Sequence, residues 1–367
     1  MSSRRSTRSA RSNGRRTHSG ECRRAPSATA AASPVQGLRQ VVRPGGRRVR
    51  PLHVQTSPQG QALRDLRIPR MRRAGRARAT GEVMEGTRIR RLEERDIDAA
   101  IALTGLEAWG YTREDFRRLL VLSPDGCFAA ERDGRVVGVL TTTTYDGLAF
   151  LGAVIVAPEL RGKGVGKEMM EAALAHLRAT GVRTVRLNAY FNAIPFYERL
   201  GFQREYEVIR WHGPATPGER VRGIRPIRAK DLTDLAQMDA KYFGANRHVL
   251  LARLAEEFPG TFLVAEPRGR LRGFIVGSPS GDSCEIGPWV VEPGFGRVAE
   301  DLGRALIQSA GATQVALSGP SRNGALLEFV REARFKEVFR ALRMWWGANE
   351  FPGDPTAIWA VGGLEKG

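Results

Sequence analysis

From about residue 87 onward the chain alternates between short apolar runs and stretches whose apolar residues recur at helical spacing. Ala153-Val154-Ile155-Val156 has the composition of a buried strand. Lys167–Leu177 reads as an amphipathic helix, with Met170, Leu174 and Leu177 on one face at i, i+4 and i+7. Between them lies Pro158-Glu159-Leu160-Arg161-Gly162-Lys163-Gly164-Val165-Gly166, a glycine-rich turn that ends the strand and opens the helix. Upstream, the pattern predicts a strand at Arg88–Leu92, a helix N-capped by Asp96 and a second helix over Thr112–Leu122. A hairpin of alternating apolar residues then turns at Asp133-Gly134. Downstream come a short strand (Thr184–Asn188), a helix and a last strand.

The second half repeats this plan at a constant offset of 135 positions. Ile89-Arg90-Arg91-Leu92 with Asp96 falls on Ile224-Arg225-Pro226-Ile227 with Asp231, Ala130-Glu131 on Ala265-Glu266, and Pro158 on Pro293. The repeat predicts a strand at Gly223–Ile227, a helix capped by Asp231, a helix at Arg247–Glu257 and a hairpin at Arg268-Gly269. Gly213-Pro214-Ala215-Thr216-Pro217-Gly218 is too rich in Pro and Gly to continue either element and reads as the linker. The domains are therefore set at 87–212 and 223–367, with 213–222 between them.

Three glycines at alternating positions let main-chain N–H groups converge at a helix N-terminus, a cradle for the phosphates of a nucleotide-like ligand. A Walker loop would end in Gly-Lys-Ser/Thr; here Lys167 is followed by Glu168. A Rossmann turn would read G-x-G-x-x-G, with an acid at the end of a second strand. The pattern present is Arg-x-x-Gly-x-Gly after Val-x-Pro, which resembles the pyrophosphate signature of the GNAT acetyltransferases. A second block, Asn192-Ala193-Ile194-Pro195-Phe196-Tyr197-Glu198-Arg199-Leu200-Gly201-Phe202, is similar to that family's other hallmark.

The resemblance implies an α/β (α+β) chain of two tandem GNAT folds, each a mixed, splayed central sheet flanked by helices. It implies an N-acetyltransferase that moves an acetyl group from acetyl-CoA, its co-substrate, to a primary amine by direct attack in a ternary complex. The backbone of Val154, Ile155 and Val156 would pair with the pantetheine like an added strand, with an N–H there polarising the thioester carbonyl. Gly162, Lys163, Gly164, Val165 and Gly166 would hold the pyrophosphate. Arg161 would add charge or serve only as a turn residue, and Asn192 would contact the cofactor or cap its helix. Tyr197 would protonate the departing thiolate, or else pack in the core beside Phe196. For the general base, Asp146, Glu107, Tyr190 and a water chain stay open. The competing class is a non-catalytic acyl-CoA-binding or sensing protein.

The copies differ. Offset by 135 from Arg161, Gly164 and Gly166 stand Gly296, Ala299 and Asp301, and Val330 precedes Phe335 as Tyr197 precedes Phe202. An aspartate repels a phosphate, so the second copy reads as degenerate. An active first half before a degenerate second half is similar to a known two-domain GNAT type, as are Ile286-Gly287-Pro288-Trp289 and Ala360–Glu365. The aromatics Trp289, Phe339, Trp345, Trp346 and Trp359 are expected either to close the acceptor side of the cleft or cover the interdomain seam, or to fill the second domain's own core. The Tyr242–Arg247 turn is a further candidate for the acceptor wall, with the two domains fixed together.

Charge separates the front of the chain from the rest. Residues 1–86 carry 20 Arg, no Lys and 4 acids, a net +16, whereas the remainder carries only +3. This leader is expected to be disordered. Three readings stand: a nucleic-acid-binding arm, an organelle transit peptide, or an upstream start ahead of a true beginning near Met84. Elsewhere the charge gives no reason to expect nucleic acid. Cys22, Cys127 and Cys284 are widely spaced and without a CxxC pair, which points to no metal site and no disulfide framework. No apolar run is long enough to span a membrane. A cytoplasmic enzyme with a small-molecule or peptide amine as acceptor is the expectation.

Overall fold

The computed structural model describes residues 86–216 and 222–367. The expectations for the leader, including a start near Met84, lie outside the described residues.

In the first repeat, β1 (Thr87–Arg91) leads to helices α1 (Ile97–Gly105) and α2 (Arg113–Leu122). The meander β2 (Phe128–Arg132), β3 (Arg135–Tyr145) and β4 (Leu148–Val156) follows. Then come α3 (Val165–Ala179), β5 (Thr184–Ala189), α4 (Ile194–Arg199) and β6 (Gln203–Pro214). The second repeat runs β7 (Ile224–Pro226), α5 (Leu232–Phe243), α6 (His248–Glu257), β8 (Phe262–Ala265), β9 (Gly273–Ser280) and β10 (Ser283–Val291). It continues with α7 (Gly296–Ala310), β11 (Gln314–Pro320), α8 (Gly324–Glu332), β12 (Lys336–Gly347) and β13 (Ile358–Ala360).

Local chemistry repeats along with the elements. Arg90 bonds Asp96 and Glu131, and Arg225 bonds Asp231 and Glu266 in the same way. Asp96 and Asp231 were expected to cap α1 and α5. Instead each carboxylate turns back, accepting from the N–H of Glu93 or Arg228 and from the strand arginine. A bidentate charged partner outcompetes a neutral N–H.

One continuous 13-stranded sheet carries both repeats, in the order β1-β2-β3-β4-β5-β12-β6-β11-β10-β9-β8-β7, with β13 beside β10. The last strand of each repeat is exchanged. β12 runs antiparallel between β5 and β6 (Leu342 opposite both Ala189 and Glu207), and β6 lies against β11 (Leu317 opposite Trp211). Leu342 and Met344 thereby enter the core around Met170, Leu187 and Tyr197, while Ile209 and Trp211 enter the core around Trp289, Leu306 and Leu317. A third buried cluster joins the halves, with Tyr145, Leu148 and Phe150 packing on Phe243, Leu251 and Phe274. The expected linker begins later than its composition suggested: Gly213 and Pro214 are the final β6 residues, opposite Val315 and Gln314.

Candidate functional site

The sheet opens where the first glycine turn begins. β4 and β5 are parallel and paired only from Leu148–Thr184 to Leu151–Leu187; past that point β4 turns away. Its register against β3 slips between Thr141–Gly152 and Val139–Ile155, and Ala153 stands at φ +47° in the extra position. A β-bulge of this kind bends the strand and frees main-chain groups. Val154, Ile155 and Val156 therefore lie along the open side of a wedge whose apex is Gly152 on β4 and Asn188 on β5.

The glycine turn continues from β4 to the start of α3. Gly162 and Gly164 take φ +76° and +92°, and a Cβ at Gly164 would meet nothing closer than Glu168 Oε1 at 3.8 Å. Gly166 needs no positive φ; a Cβ there would lie 3.7 Å from Val156 Cγ2. The N–H groups of Gly162, Gly164, Val165 and Gly166 meet no main-chain acceptor among the described residues, as expected of a helix first turn that is left open. Lys163 is exposed beside them, while Val165 is buried in the core. Arg161 is held elsewhere: its Nε donates to Val156 O (2.9 Å) and its Nη2 to Glu107 (2.8 Å).

Asn192 is exposed in the turn before α4, and the cap position belongs to Ala193, so it does not cap the helix. Tyr197 lies on α4 between the rings of Phe196 (5.1 Å) and Phe202 (5.8 Å), 8% exposed. Burial pushes its phenol well above the ordinary tyrosine range, which keeps it protonated. Of the base candidates, Glu107 is paired with Arg161, and Asp146 sits in the β3–β4 turn at the far end of β4. Tyr190 sits edge-to-face with Phe339 (5.5 Å). The expected acceptor aromatics divide: Trp289 and Trp359 pack on one another in the second core, while Trp346 packs on the first.

No sequence signal pointed to the segment Val361–Gly367 crossing into the first repeat. Asn188 Nδ2 donates to Leu364 O (2.7 Å), Thr143 Oγ1 to Glu365 O (3.3 Å) and Tyr145 Oη to Lys366 O (2.9 Å). Arg247, itself paired with Asp239, anchors Gly367 O at 2.7 Å, so the Tyr242–Arg247 turn holds this segment. The one available hint was Gly152, an isolated glycine inside a strand, which marks close approach of another backbone.

In the second repeat the cradle is gone because the turn itself is shorter. Eight residues separate β4 from α3, and four separate β10 from α7. The offset therefore falls from 135 at the strands to 131 at the helices. This corrects the sequence alignment. Phe295 and Arg297, rather than Ala299 and Asp301, stand where Gly164 and Gly166 stand. Phe295 fills the turn beneath the Arg272 guanidinium (4.3 Å), which pairs with Glu292.

The GNAT acetyltransferase family model matches residues 92–202, and a second GNAT acetyltransferase domain model matches 235–360. The chain belongs to the GNAT acetyltransferase family. Among the relatives of this GNAT chain is the holothin acyltransferase of Pseudoalteromonas sp., 26% identical over 71% of this chain and 88% of that one. The mycothiol acetyltransferase of Thermobispora bispora is 37% identical over 34% of this chain and 48% of that one. A putative acetyltransferase from Pyrococcus horikoshii has the same fold (TM-score 0.67, 24% identity, 80% of this chain and all of that one). So does a tandem GNAT protein from the clavulanic acid biosynthesis pathway (TM-score 0.51, 14% identity, 71% of this chain and 98% of that one). The GNAT chain is an acyltransferase with two GNAT domains in one mixed sheet. Among its described residues there is no cluster suited to a metal ion and no helix long and apolar enough to cross a membrane.

Proposed function

We propose that the first repeat binds acetyl-CoA in the wedge between β4 and β5 and transfers its acetyl group to the primary amine of a small molecule. The observation that carries this reading is the conjunction, in the first repeat alone, of an interrupted β4–β5 pairing with an open glycine turn at a helix N-terminus. Main-chain groups of Val154–Val156 take the pantetheine arm. The free N–H groups of Gly162, Gly164, Val165 and Gly166 and the α3 dipole take the pyrophosphate, with Lys163 and Asn192 at the rim. Arg161 adds charge there if it leaves Val156 O and Glu107. Tyr197 hands its proton to the departing thiolate. A small-molecule acceptor is supported by the names of the relatives, a holothin acyltransferase and a mycothiol acetyltransferase. We place the reaction in the cytoplasm, where the buried Cys127 and Cys284 remain thiols.

Calorimetry tests the cofactor site. One acetyl-CoA is expected per chain, and Gly164→Asp is expected to abolish binding by putting a side chain and a negative charge where phosphate lies. Two equivalent sites, or binding unaffected by the substitution, would refute the assignment.

A further inference from the structure

Glu365 belongs to the second repeat by sequence and to the first by position. Its main chain crosses the apex of the wedge, between Leu364 O on Asn188 and its own carbonyl on Thr143. A Cβ built on Gly152 would lie 2.0 Å from Glu365 Cβ, so the glycine exists at this point of β4 to admit the segment. The side chain is about nine-tenths buried. Beside its carboxylate stand the Lys366 ammonium, in an ion pair, and the Tyr111 hydroxyl, while Tyr145 Oη donates to the neighbouring Lys366 carbonyl.

Two further features mark this place as one that receives a ligand. Asn188 Oδ1 is a buried acceptor with no partner, on the same side chain that holds Leu364 O. A run of rings lines the adjoining surface: Trp109 meets Tyr111 and Tyr190, each at 6.4 Å, and Tyr190 meets Phe339 of β12 at 5.5 Å. An ammonium needs acceptors, and two stand here beside an aromatic wall.

We propose that Glu365 is the proton acceptor for the acceptor amine, and that this amine is a primary amine carried on a flat apolar group. The inference rests on acetyl transfer by the first repeat. The neutral nitrogen attacks the thioester carbon and a C–N bond forms. The nitrogen's surplus proton passes to the Glu365 carboxylate. The C–S bond breaks, and the sulfur takes the Tyr197 proton. Solvent then carries the proton from Glu365 back to Tyr197, leaving an amide and free CoA.

The test uses the full chain, acetyl-CoA and 2-phenylethylamine as probe, and follows thiol release. Glu365→Gln is expected to lower kcat/KM by about 100-fold or more, while acetyl-CoA affinity stays unchanged. Glu365→Asp should restore part of the rate. Gly152→Ala, whose methyl would overlap Glu365 Cβ and Cα and so displace the segment, should likewise lower turnover. Turnover unchanged in Glu365→Gln would overturn the proposal, as would a wild-type chain that binds acetyl-CoA but does not acetylate the probe. A wild-type chain that binds no acetyl-CoA would overturn the transferase reading beneath it.

Discussion

Met344 tests whether the exchanged strands make the two repeats one folding unit. It lies on β12, opposite Leu187 of β5, and is completely buried in the first repeat's core although it belongs to the second by sequence. Truncation to Ala removes three heavy atoms from a close-packed site, a change that typically costs about 2–5 kcal/mol, set by how far the cavity collapses. At about 1.4 kcal/mol per tenfold, global opening becomes roughly 30- to 4,000-fold more frequent. Hydrogen exchange followed by peptide mass spectrometry reads that opening separately in α3 and in α7. Because β12 is gripped by β5 on one side and by β6 on the other, and β6 is in turn gripped by β11, both helices should lose protection by the same free energy. Faster exchange confined to α3, with α7 at its wild-type rate, would show two independent domains that merely touch. The same reasoning applies to a fragment ending at Thr216, which leaves β5 without its neighbour and the Tyr197 core without Leu342 and Met344.

Tyr197→Phe should leave acetyl-CoA affinity unchanged while lowering turnover by about 100-fold or more. Full turnover with a good acceptor would make Tyr197 a packing residue. Since burial raises its pKa, the phenol stays protonated through mildly alkaline pH, so an alkaline limb below about pH 10 in the wild-type rate would belong to another group. Cys127 and Cys284 are pushed up to about 12 by burial. A thiol is protonated, and so unreactive, below its pKa; neither should be labelled by a disulfide-exchange reagent at about pH 8 until the chain unfolds. Labelling of either cysteine in the native chain would contradict its burial.

What the sequence disclosed was local. Val154–Val156, the turn through Gly166 and the face of Met170, Leu174 and Leu177 specify their own geometry through propensity, glycine and period, and the glycine turn could be read in full. Pairing partners were hidden. β6 and β12 present alternating apolar residues of similar size, so Ile209 and Trp211 fit one core as well as Leu342 and Met344 fit the other, and nothing within either strand says which core it enters. The 135-residue offset misled for a related reason. It measures strands faithfully until four residues are lost from a turn, after which Asp301 no longer corresponds to Gly166. In the sequence Glu365 is only the end of the Ala360–Glu365 stretch, because its crossing into the first repeat is foreshadowed by nothing but a glycine in a distant strand.

The strand exchange also fixes an order of events during synthesis. When β6 has left the ribosome, the first repeat still lacks the strand that belongs beside β5. That strand lies about 130 residues further along, which at 5–20 residues per second is a wait of roughly 7–26 s. Throughout it, β5 carries an unpaired edge next to an incomplete apolar core, the exposure from which nascent chains aggregate. The chain must therefore either be shielded in that interval or let β6 lie provisionally against β5 and later give way. In either case the proposed acyl-transfer site comes into being last, when β12 and the Glu365 segment arrive together.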